Sequence, residues 1–511
     1  MTLKRKATPV VGLTAAALLL TACAASERDT DTDAGADTDT TATGDSGSSS
    51  AVFTFGGAGA PVTFDPFYAS DGETFRVSRQ ILENLIGIKP GTADLEPELA
   101  ESWEPDETGL QWTFQLREGV TFHDGQELTP ADVVWSLTEL KNNAAYRDSA
   151  RLANVQTITA DGQTITLTLS APDSTLLWNL TGRAGLIFKQ GDTIDRKTKT
   201  NGTGPFILTS WKQGDSITLE RNDAYWGDKA KVKEVVLDYI PDTQAALSGA
   251  LAGELDVVTG FDATLKDQIK ANGDFTLELG KSTDKGTLAI NSTSGPLADK
   301  RVRQAIRQAI DKDAIVTALG AGQTLYGPIP ELDPGYEDLS STAPFDPDAA
   351  KKLLAEAGAE NTTLTLTIPS FYGTTVSQIL VSNLADVGIT LKVNPVEFSA
   401  WINDVYVNKD YDLSFVLHTE AHYFENWANP DYYFTYDNAE VQDLYAQSLA
   451  ATDEAEAAEL LAEAARIVSE DAAGDWLYSG ASVVAVGTGV SGFPIVKTNE
   501  RLNLAELTKS Q

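Results

Sequence analysis

The chain has 511 residues, of which 74 are acidic and 38 are basic, so its formal net charge is -36 at pH 7. This charge disfavours nucleic acid as a partner, because phosphate recognition needs clustered Lys and Arg side chains. The chain contains one cysteine, one methionine and three histidines. These counts exclude redox dithiols and cysteine-based zinc sites and nearly exclude a histidine-rich metal centre, and we expect no cofactor.

The first residues have the layout of a secretory signal. A basic run at residues 4–6 precedes an apolar run at residues 7–20, which is too short to span a bilayer core of about 30 Å. Leu-Thr-Ala at residues 20–22 stands directly before Cys23 and resembles the lipobox of bacterial lipoproteins, in which the cysteine sulfur receives a diacylglycerol. We therefore predict a lipoprotein signal peptide over residues 1–22 and lipidation of Cys23. A plain signal peptide with an incidental cysteine is the alternative.

An acidic, low-complexity segment follows the cysteine. Residues 24–50 consist mainly of Asp, Thr, Ser, Gly and Ala and contain no aromatic residue and no Val, Ile or Leu. Such a segment cannot bury a core and extends by self-repulsion, to roughly 30 Å for a coil of this length. We predict a disordered tether over residues 23–50 that holds a folded body at the extracytoplasmic face of the cell membrane.

The composition becomes globular from Ala51 onward, and the local patterns are those of a mixed α/β protein. Residues 110–116 alternate apolar and polar side chains, and after a turn the pattern continues at residues 120–122, which predicts a β-hairpin. Thr129 then provides a helix N-cap, with proline at the first helical position and Asp132 three residues after the cap. A helix is therefore predicted to begin there.

The same patterns recur along the rest of the chain. Residues 155–158 and 164–169 flank an Asp-Gly turn and predict a second hairpin. Helices and strands then alternate without a simple βαβ repeat. The predicted elements are a helix capped by Asp299, a helix from Asp346 to Gly358, and strands at residues 364–368 and 390–393.

Seven segments of the globular body carry motifs that occur together in one family. They include Leu-Arg-Glu-Gly-Val-Thr-Phe-His-Asp-Gly at residues 116–125 and Asn-Gly-Thr-Gly-Pro-Phe at residues 201–206. In order and spacing the segments resemble the family 5 extracellular solute-binding proteins, which are the oligopeptide, dipeptide and nickel-type receptors of ABC importers. The full set is residues 99–104, 116–125, 128–136, 201–206, 221–227, 253–256 and 301–311.

The resemblance implies a two-lobed α/β body of the periplasmic-binding-protein type II kind, with a small subdomain inserted in the first lobe. Two strands that cross between the lobes near residues 288–291 and 483–486 would form the hinge, and the lobes would close around a ligand. The implied boundaries are residues 51–90, 200–286 and 482–511 for lobe one, 91–199 for the subdomain and 287–481 for lobe two.

The same resemblance implies a receptor rather than an enzyme. A monomer would capture a small peptide or a related small solute in the inter-lobe cleft and deliver it to an ABC permease, while separate ATPase subunits hydrolyse ATP. The sequence contains no G-x-S-x-G motif, and Gly280-Lys281-Ser282 lacks the upstream glycine of a P-loop because Phe275 occupies its position. A secreted hydrolase remains as an alternative that no motif supports.

The candidate ligand site is the segment that begins at His418. Several peptide-binding relatives carry an acidic residue four positions before the proline that matches Pro430, where it receives the ammonium group of the peptide. This chain has Asn426 there. Because an amide loses the charge-assisted bond, Glu420 or Glu425 is expected to replace the missing carboxylate.

Aromatic residues complete the candidate site. Tyr423 and Trp427 are predicted to stack on or cover an apolar side chain of the ligand, while polar groups fix its orientation. Tyr68 is a further candidate for ligand contact. Packing in the core is the alternative for Trp427 and Tyr433.

Two of the three histidines lie in the same segment. His418 and His422 are four residues apart and would share one face of a helix, but Glu420 stands in the wrong place for the H-E-x-x-H motif of metalloproteases. Neutral imidazoles bind nickel, copper or zinc, and some family members take up chelated nickel through a histidine. A metal chelate held by His418 and His422 is therefore the alternative ligand, and hydrogen-bonded loop histidines are the simpler interpretation.

Overall fold

The structure is a computed structural model that describes residues 51–57, 59–69, 72–260, 265–498 and 502–510. The predicted signal peptide, the lipidation site at Cys23 and the acidic tether lie outside the described residues. Among the helices within them, none combines the length and the apolar character needed to cross a membrane.

The β-strands of the described residues are numbered in chain order. They are β1 (Val52–Gly57), β2 (Ile86–Ile88), β3 (Leu95–Pro97), β4 (Ala100–Pro105), β5 (Gln111–Leu116), β6 (Val155–Asp161), β7 (Thr164–Leu169), β8 (Phe206–Lys212), β9 (Ser216–Arg221), β10 (Glu234–Tyr239), β11 (Val257–Thr259), β12 (Phe275–Ile290), β13 (Gln323–Thr324), β14 (Thr363–Pro369), β15 (Thr390–Val396), β16 (Leu413–His418), β17 (Gly474–Gly487), β18 (Val490–Ser491) and β19 (Thr508–Lys509).

The α-helices are numbered in the same way. They are α1 (Gly72–Ser78), α2 (Pro130–Asn142), α3 (Leu176–Leu180), α4 (Thr243–Leu251), α5 (Lys266–Asn272), α6 (Lys300–Ala309), α7 (Lys312–Leu319), α8 (Pro347–Ala357), α9 (Thr374–Asp386), α10 (Phe398–Trp401), α11 (Glu425–Ala428), α12 (Ala439–Ala450) and α13 (Glu454–Glu470).

The larger sheet has two halves that share a pair of long strands. Its strand order is β15-β14-β16-β12-β17-β11-β1-β10-β9-β8, with β13 paired to β17. In one half β1 is parallel to β10 and β11, and in the other β14 is parallel to β15 and β16. The strands β12 and β17 have 16 and 14 residues and run antiparallel to each other through both halves. They therefore connect the two lobes.

The pairing of β12 with β17 is interrupted where the strands pass between the two halves. Residues 282–284 of β12 lie opposite Gly480 alone, which makes a β-bulge, and a bulge bends and twists the strand that carries it. The two predicted hinge positions lie on either side of this bulge. Residues 288–290 already pair with β16, and residues 484–486 pair with β11.

A separate antiparallel sheet with the order β4-β5-β7-β6 is covered by α2. We call residues 100–188, which contain this sheet, the inserted unit. Its core includes the fully buried side chains of Phe114 and Leu137. The predicted start of α2 is confirmed, since the backbone N–H of Thr129 donates to Asp132 Oδ2 at 2.8 Å.

The first predicted hairpin is wrong in its second strand. Strand β5 pairs with β4 and β7 and leaves no edge for residues 120–122. These residues instead form a small turn, in which the N–H of Leu128 donates to the carbonyl oxygen of Val120 at 2.9 Å. Gly119 has φ +76° and redirects the chain, so that Val120 and Phe122 enter the core of the inserted unit.

The other predicted elements are confirmed. The hairpin β6–β7 turns at Gly162, and the strands β14 and β15 cover the predicted positions. Asp299 and Asp346 accept hydrogen bonds from the first turns of α6 and α8. Gly358 follows α8 with φ +64°, the left-handed conformation expected at the end of a helix.

Candidate functional site

The carboxyl ends of β14, β15 and β16 share one edge of the sheet, which is where open α/β sheets bind ligands. Strand β16 ends at His418, and the chain continues as an irregular loop, residues 419–424, before α11. We call residues 419–424 the site loop. A cavity of about 240 Å³ lies between this loop and residues of α1 and the inserted unit.

His422 lies at the centre of the contact between the site loop and the inserted unit. Its imidazole is parallel to the indole of Trp178, with ring centroids 3.7 Å apart and an interplanar angle of 5°. Its backbone has φ +52°, an unusual value for a residue with a side chain. The N–H of His422 donates to Asp333 Oδ2 at 2.9 Å, and this bond helps to hold the loop in that conformation.

The side chain of a buried lysine forms a hydrogen bond with the backbone of the site loop. Lys285 of β12 is fully buried, and its ammonium group donates to the carbonyl oxygens of Thr283 at 2.9 Å and Glu420 at 2.6 Å. It also lies 4.4 Å from the ring centre of Tyr423. Burial lowers the pKa of Lys285, against the opposing effect of Asp333, while burial raises the pKa of Asp333 to about 6. The backbone of the site loop at Glu420 is therefore bonded to the ammonium nitrogen of a side chain that water does not reach.

His418 belongs to the core beside the cavity. Its side chain is buried, and Nε2 lies 2.8 Å from the hydroxyl oxygen of Tyr433, which is itself buried. Burial lowers the pKa of His418 to about 4. The imidazole is therefore neutral near pH 7, and its nearest carboxylate, Glu420, lies 4.0 Å from Nδ1.

The two walls of the cavity carry opposite charges. Arg147, Arg151 and Arg183 come from the inserted unit, whereas Glu420 and Glu425 come from the opposite wall. Arg151 Nη1 bridges the walls to Glu425 Oε2 at 3.2 Å. On the side of the inserted unit, Asp148 Oδ2 lies 3.6 Å from Arg183 Nη1. The arrangement suits a ligand that has a positive and a negative end.

Several predicted site residues line this cavity and others do not. Glu420, His422 and Glu425 line it. Asn426 lies in the first turn of α11, where its N–H donates to the carbonyl oxygen of Tyr423 at 3.2 Å. Tyr68 is exposed and packs edge-on against Tyr146 at 4.8 Å, outside the cavity lining.

The side chains of Trp427 and Tyr423 are buried and do not line the cavity beside the site loop. Their side chains are 1% and 2% exposed. Trp427 stacks on Phe434 at 3.9 Å and meets Trp476 edge-on at 5.0 Å. The core alternative for Trp427 and Tyr433 is therefore the observed arrangement.

The two histidines do not share a helical face. His418 is the last residue of β16, and His422 lies in the site loop with a left-handed backbone. Their rings have different neighbours, because His418 contacts Tyr433 and His422 contacts Trp178. Within the described part of the chain, no group of three or more His, Cys, Asp or Glu side chains is arranged to hold a metal ion.

The arginines and the tryptophan that the inserted unit contributes to the cavity were not predicted from the sequence. Arg147 and Arg151 follow α2, whereas Trp178 and Arg183 lie in and after α3. The charge pattern contained a signal for these residues. Acidic residues outnumber basic ones in the chain, 74 to 38, but several arginines occur within this part of the sequence. Their approach to the site loop required the fold.

The fold and the cavity are those of a two-lobed solute-binding protein, and comparison with known proteins agrees. The sequence profile described as Bacterial extracellular solute-binding proteins, family 5 Middle matches residues 94–441. The chain belongs to this family, as the motifs indicated.

Two characterised relatives have similar sequences. Heme-binding protein A of Haemophilus influenzae is 31% identical over 342 residues, which are 60% of this chain. The dipeptide-binding protein of Escherichia coli is 30% identical over 333 residues, which are 59% of this chain. Each alignment spans 62% of the relative, so this chain matches less than two thirds of their length.

Solved structures share the fold over nearly the whole described chain. The periplasmic binding protein DppA from Helicobacter pylori, in complex with peptide STSA, has a TM-score of 0.75 and 24% identity, covering 90% of this chain and 98% of that one. The substrate-binding protein CtaP from Listeria monocytogenes has a TM-score of 0.82 and 20% identity, covering 90% and 99%. The predicted two-lobed α/β fold is thereby confirmed.

Proposed function

We propose that this protein is the substrate-binding component of an ABC importer and captures peptides in the cavity beside the site loop. The observation that carries the proposal is the pair of oppositely charged walls. A peptide is a zwitterion, so its carboxylate fits the arginines of the inserted unit and its ammonium group fits the acidic side chains of the opposite wall. The similarity to the dipeptide-binding protein of Escherichia coli and to DppA from Helicobacter pylori in complex with peptide STSA supports this ligand class.

Glu420 is the residue we assign to the ammonium group. Its side chain is 57% exposed, and its nearby partner His418 is neutral near pH 7 because burial lowers the pKa of that imidazole. Glu425 is already engaged with Arg151. The carboxylate of Glu420 thus takes the role for which Asn426 lacks the charge.

Calorimetry with three short ligands tests this assignment. Wild-type protein is expected to bind Ala-Ala, and Glu420→Gln should weaken that binding about tenfold, since hydrogen bonds to charged groups contribute about 1.5–3 kcal/mol. N-acetylated Ala-Ala should bind wild type and Glu420→Gln equally, and Ala-Ala amide should be weakened through the arginine wall. Glu331→Gln, an exposed carboxylate paired with Lys281 outside this cavity, is the matched control. Failure of di-, tri- and tetra-alanine to bind would contradict the proposed function.

Capture is proposed to proceed by closure of the lobes without chemistry. The bulge at residues 282–284 would act as the flexible crossing between the lobes. The radius of gyration from X-ray scattering is expected to fall when a tight peptide is added. The peptide should be recovered intact by mass spectrometry, and its hydrolysis would contradict a purely receptive role.

Attachment to the membrane is proposed to occur through lipid on Cys23, with a permease and ATPase subunits as partners and a monomer as the binding unit. Cys23→Ser is expected to release the protein from the membrane fraction and to leave peptide affinity unchanged. A variant that stays in the membrane fraction would exclude this anchor. Reduced affinity would show a role of Cys23 beyond anchoring.

A further inference from the structure

A buried lysine lies between the ligand site and the proposed hinge. Lys285 follows directly after the bulge at residues 282–284 of β12, which we call the hinge bulge. Its ammonium nitrogen donates to the carbonyl oxygen of Thr283, within the hinge bulge, at 2.9 Å and to the carbonyl oxygen of Glu420, within the site loop, at 2.6 Å. One side chain therefore joins the segment on which the lobes would turn to the loop that carries the proposed ligand carboxylate.

The hinge bulge is also bonded to the chain near its C-terminal end. The backbone N–H of Thr283 donates to the carbonyl oxygen of Lys497 at 3.1 Å, and the ammonium nitrogen of Lys497 lies 3.0 Å from Asp284 Oδ2. The carbonyl oxygen of Thr283 accepts from Lys285 instead. Backbone groups on the two sides of Thr283 thus have different partners, so a rotation within the hinge bulge would change the lengths of these bonds.

The burial of Lys285 makes this connection stiff. The residue is 0% exposed, and a buried ammonium group is costly unless its donors are bonded. Two donors bond to the carbonyl oxygens, and the ring centre of Tyr423 lies 4.4 Å from the nitrogen, within the range of a cation–π contact. A displacement of the site loop is therefore passed on to the hinge bulge, or it leaves a buried donor without its acceptor.

The site loop is fixed at a second point close by. The backbone N–H of His422 donates to Asp333 Oδ2 at 2.9 Å, two residues after the carbonyl group that Lys285 holds. The side chain of Glu420 is the partner proposed for the ammonium group of the ligand. A ligand bound there would act on a loop whose backbone is held on both sides of Ala421.

We infer that Lys285 is a positioning residue that couples ligand binding in the cavity to the hinge bulge. A peptide that engages the carboxylate of Glu420 holds the site loop, the loop holds the ammonium group of Lys285, and this group holds Thr283 in the conformation seen here. Lys285 does not line the cavity, so it acts through the two carbonyl groups and not through contact with the ligand. The inference rests on the proposed function.

Hydrogen–deuterium exchange measured by mass spectrometry tests the inference on the wild-type protein. The probe is a saturating alanine peptide, whichever of di-, tri- and tetra-alanine binds most tightly. It should slow exchange in the hinge bulge about tenfold, in addition to exchange in the site loop, since coupling between sites commonly has this size. Residues 282–284 do not line the cavity, so cover by the ligand does not account for such slowing. Slowed exchange in the site loop alone would overturn the inference.

Lys285→Gln is the variant that should remove the coupling. Its side chain is neutral and shorter, and it should no longer bond to both carbonyl oxygens. The alanine peptide should still slow exchange in the site loop of this variant, but it should change exchange in the hinge bulge less than twofold. A purely structural role would alter exchange equally with and without peptide and would leave the tenfold difference in place, which would overturn the inference.

Lys281→Gln is the matched control in the same strand. Lys281 forms an exposed ion pair with Glu331, and this variant should keep the tenfold effect of the peptide on the hinge bulge. Loss of the effect in the control would overturn the assignment to Lys285. Circular dichroism checks folding, and the wild-type experiment decides alone if Lys285→Gln is unfolded.

The outcomes separate this inference from the proposed function. A peptide that binds and slows exchange only in the site loop would overturn the coupling and leave the peptide function standing. Failure of all three alanine peptides to bind would overturn both proposals.

Discussion

The imidazole of His422 lies parallel to the indole of Trp178, 3.7 Å away between ring centroids. The stack joins the site loop to the inserted unit, and it does so from a residue whose backbone has φ +52°. The hydrogen bond from the backbone N–H of His422 to Asp333 holds the backbone of His422 in this conformation. His422 therefore has a constrained backbone, donates its N–H to a buried carboxylate and forms the contact between the site loop and the inserted unit.

The stack is expected to contribute measurably to stability. A double-mutant cycle of Trp178→Ala and His422→Ala should give a coupling of about 0.5–1.5 kcal/mol, the range for paired aromatic rings beyond their buried area. Urea unfolding followed by circular dichroism measures the free energy of unfolding for the four proteins. A coupling near zero would show that the two rings are neighbours without mutual stabilisation. His422→Gly separates the backbone from the ring, because glycine adopts positive φ without strain.

Substitution of Lys285 is expected to lower the free energy of unfolding more than most single substitutions in β12. Lys285→Met would leave the buried carbonyl oxygens of Thr283 and Glu420 without their donor, which should lower the free energy of unfolding by about 2–4 kcal/mol. Lys281→Met is the matched control in the same strand. Lys281 forms an exposed ion pair with Glu331, and its loss should cost about 1 kcal/mol or less. Similar costs for the two variants would contradict the role given to Lys285.

Asp333 should make the protein less stable as pH rises from about 4 to about 6. Burial raises its pKa to about 6 from 3.8, so the folded state holds the proton more tightly than the unfolded state. The resulting stabilisation is complete below the unfolded pKa and is lost as pH rises through the folded one. Asp333→Asn does not titrate, and so wild type should lose free energy of unfolding relative to this variant across that window. A difference that is constant with pH, or that grows in favour of wild type, would contradict the shift.

His418 should have the opposite pH dependence. Burial lowers its pKa to about 4 from 6.5, so the unfolded state takes up the proton first as pH falls. Wild type should therefore lose free energy of unfolding relative to His418→Gln between about pH 6.5 and pH 4. Nuclear magnetic resonance titration of the imidazole provides the direct measurement. An imidazole that titrates near 6.5 in the folded protein would show that His418 is reached by water.

Sequence signals within one helical turn were sufficient to predict where several helices begin or end. Asp299, Asp346 and Gly358 were assigned to helix ends from sequence, and the structure places them there. The reason is that capping satisfies backbone groups within one turn, so the residues that decide it are neighbours in the chain. The strand predicted at residues 120–122 was wrong because the edges of β5 are taken by β4 and β7, and competition between strands is not written in the local pattern.

The candidate site was predicted in part. Glu420, His422 and Glu425 line the cavity as the motif segment suggested, whereas Tyr423 and Trp427 of the same segment are buried. An irregular loop has no fixed periodicity, so its sequence does not state which side chains face the core. Which side chains of the loop are buried depends on neighbours such as Trp476, which belongs to a strand distant in sequence.

The sequence by itself determined the family, the mixed α/β class and the helix caps. All of these depend on motifs or on contacts within a few residues. Only the tertiary structure decided that Arg147 and Arg151 form the wall opposite Glu420, and that His422 stacks on Trp178. These pairs are separated by more than two hundred residues, and their approach depends on how the inserted unit packs beside the site loop, which no local pattern specifies.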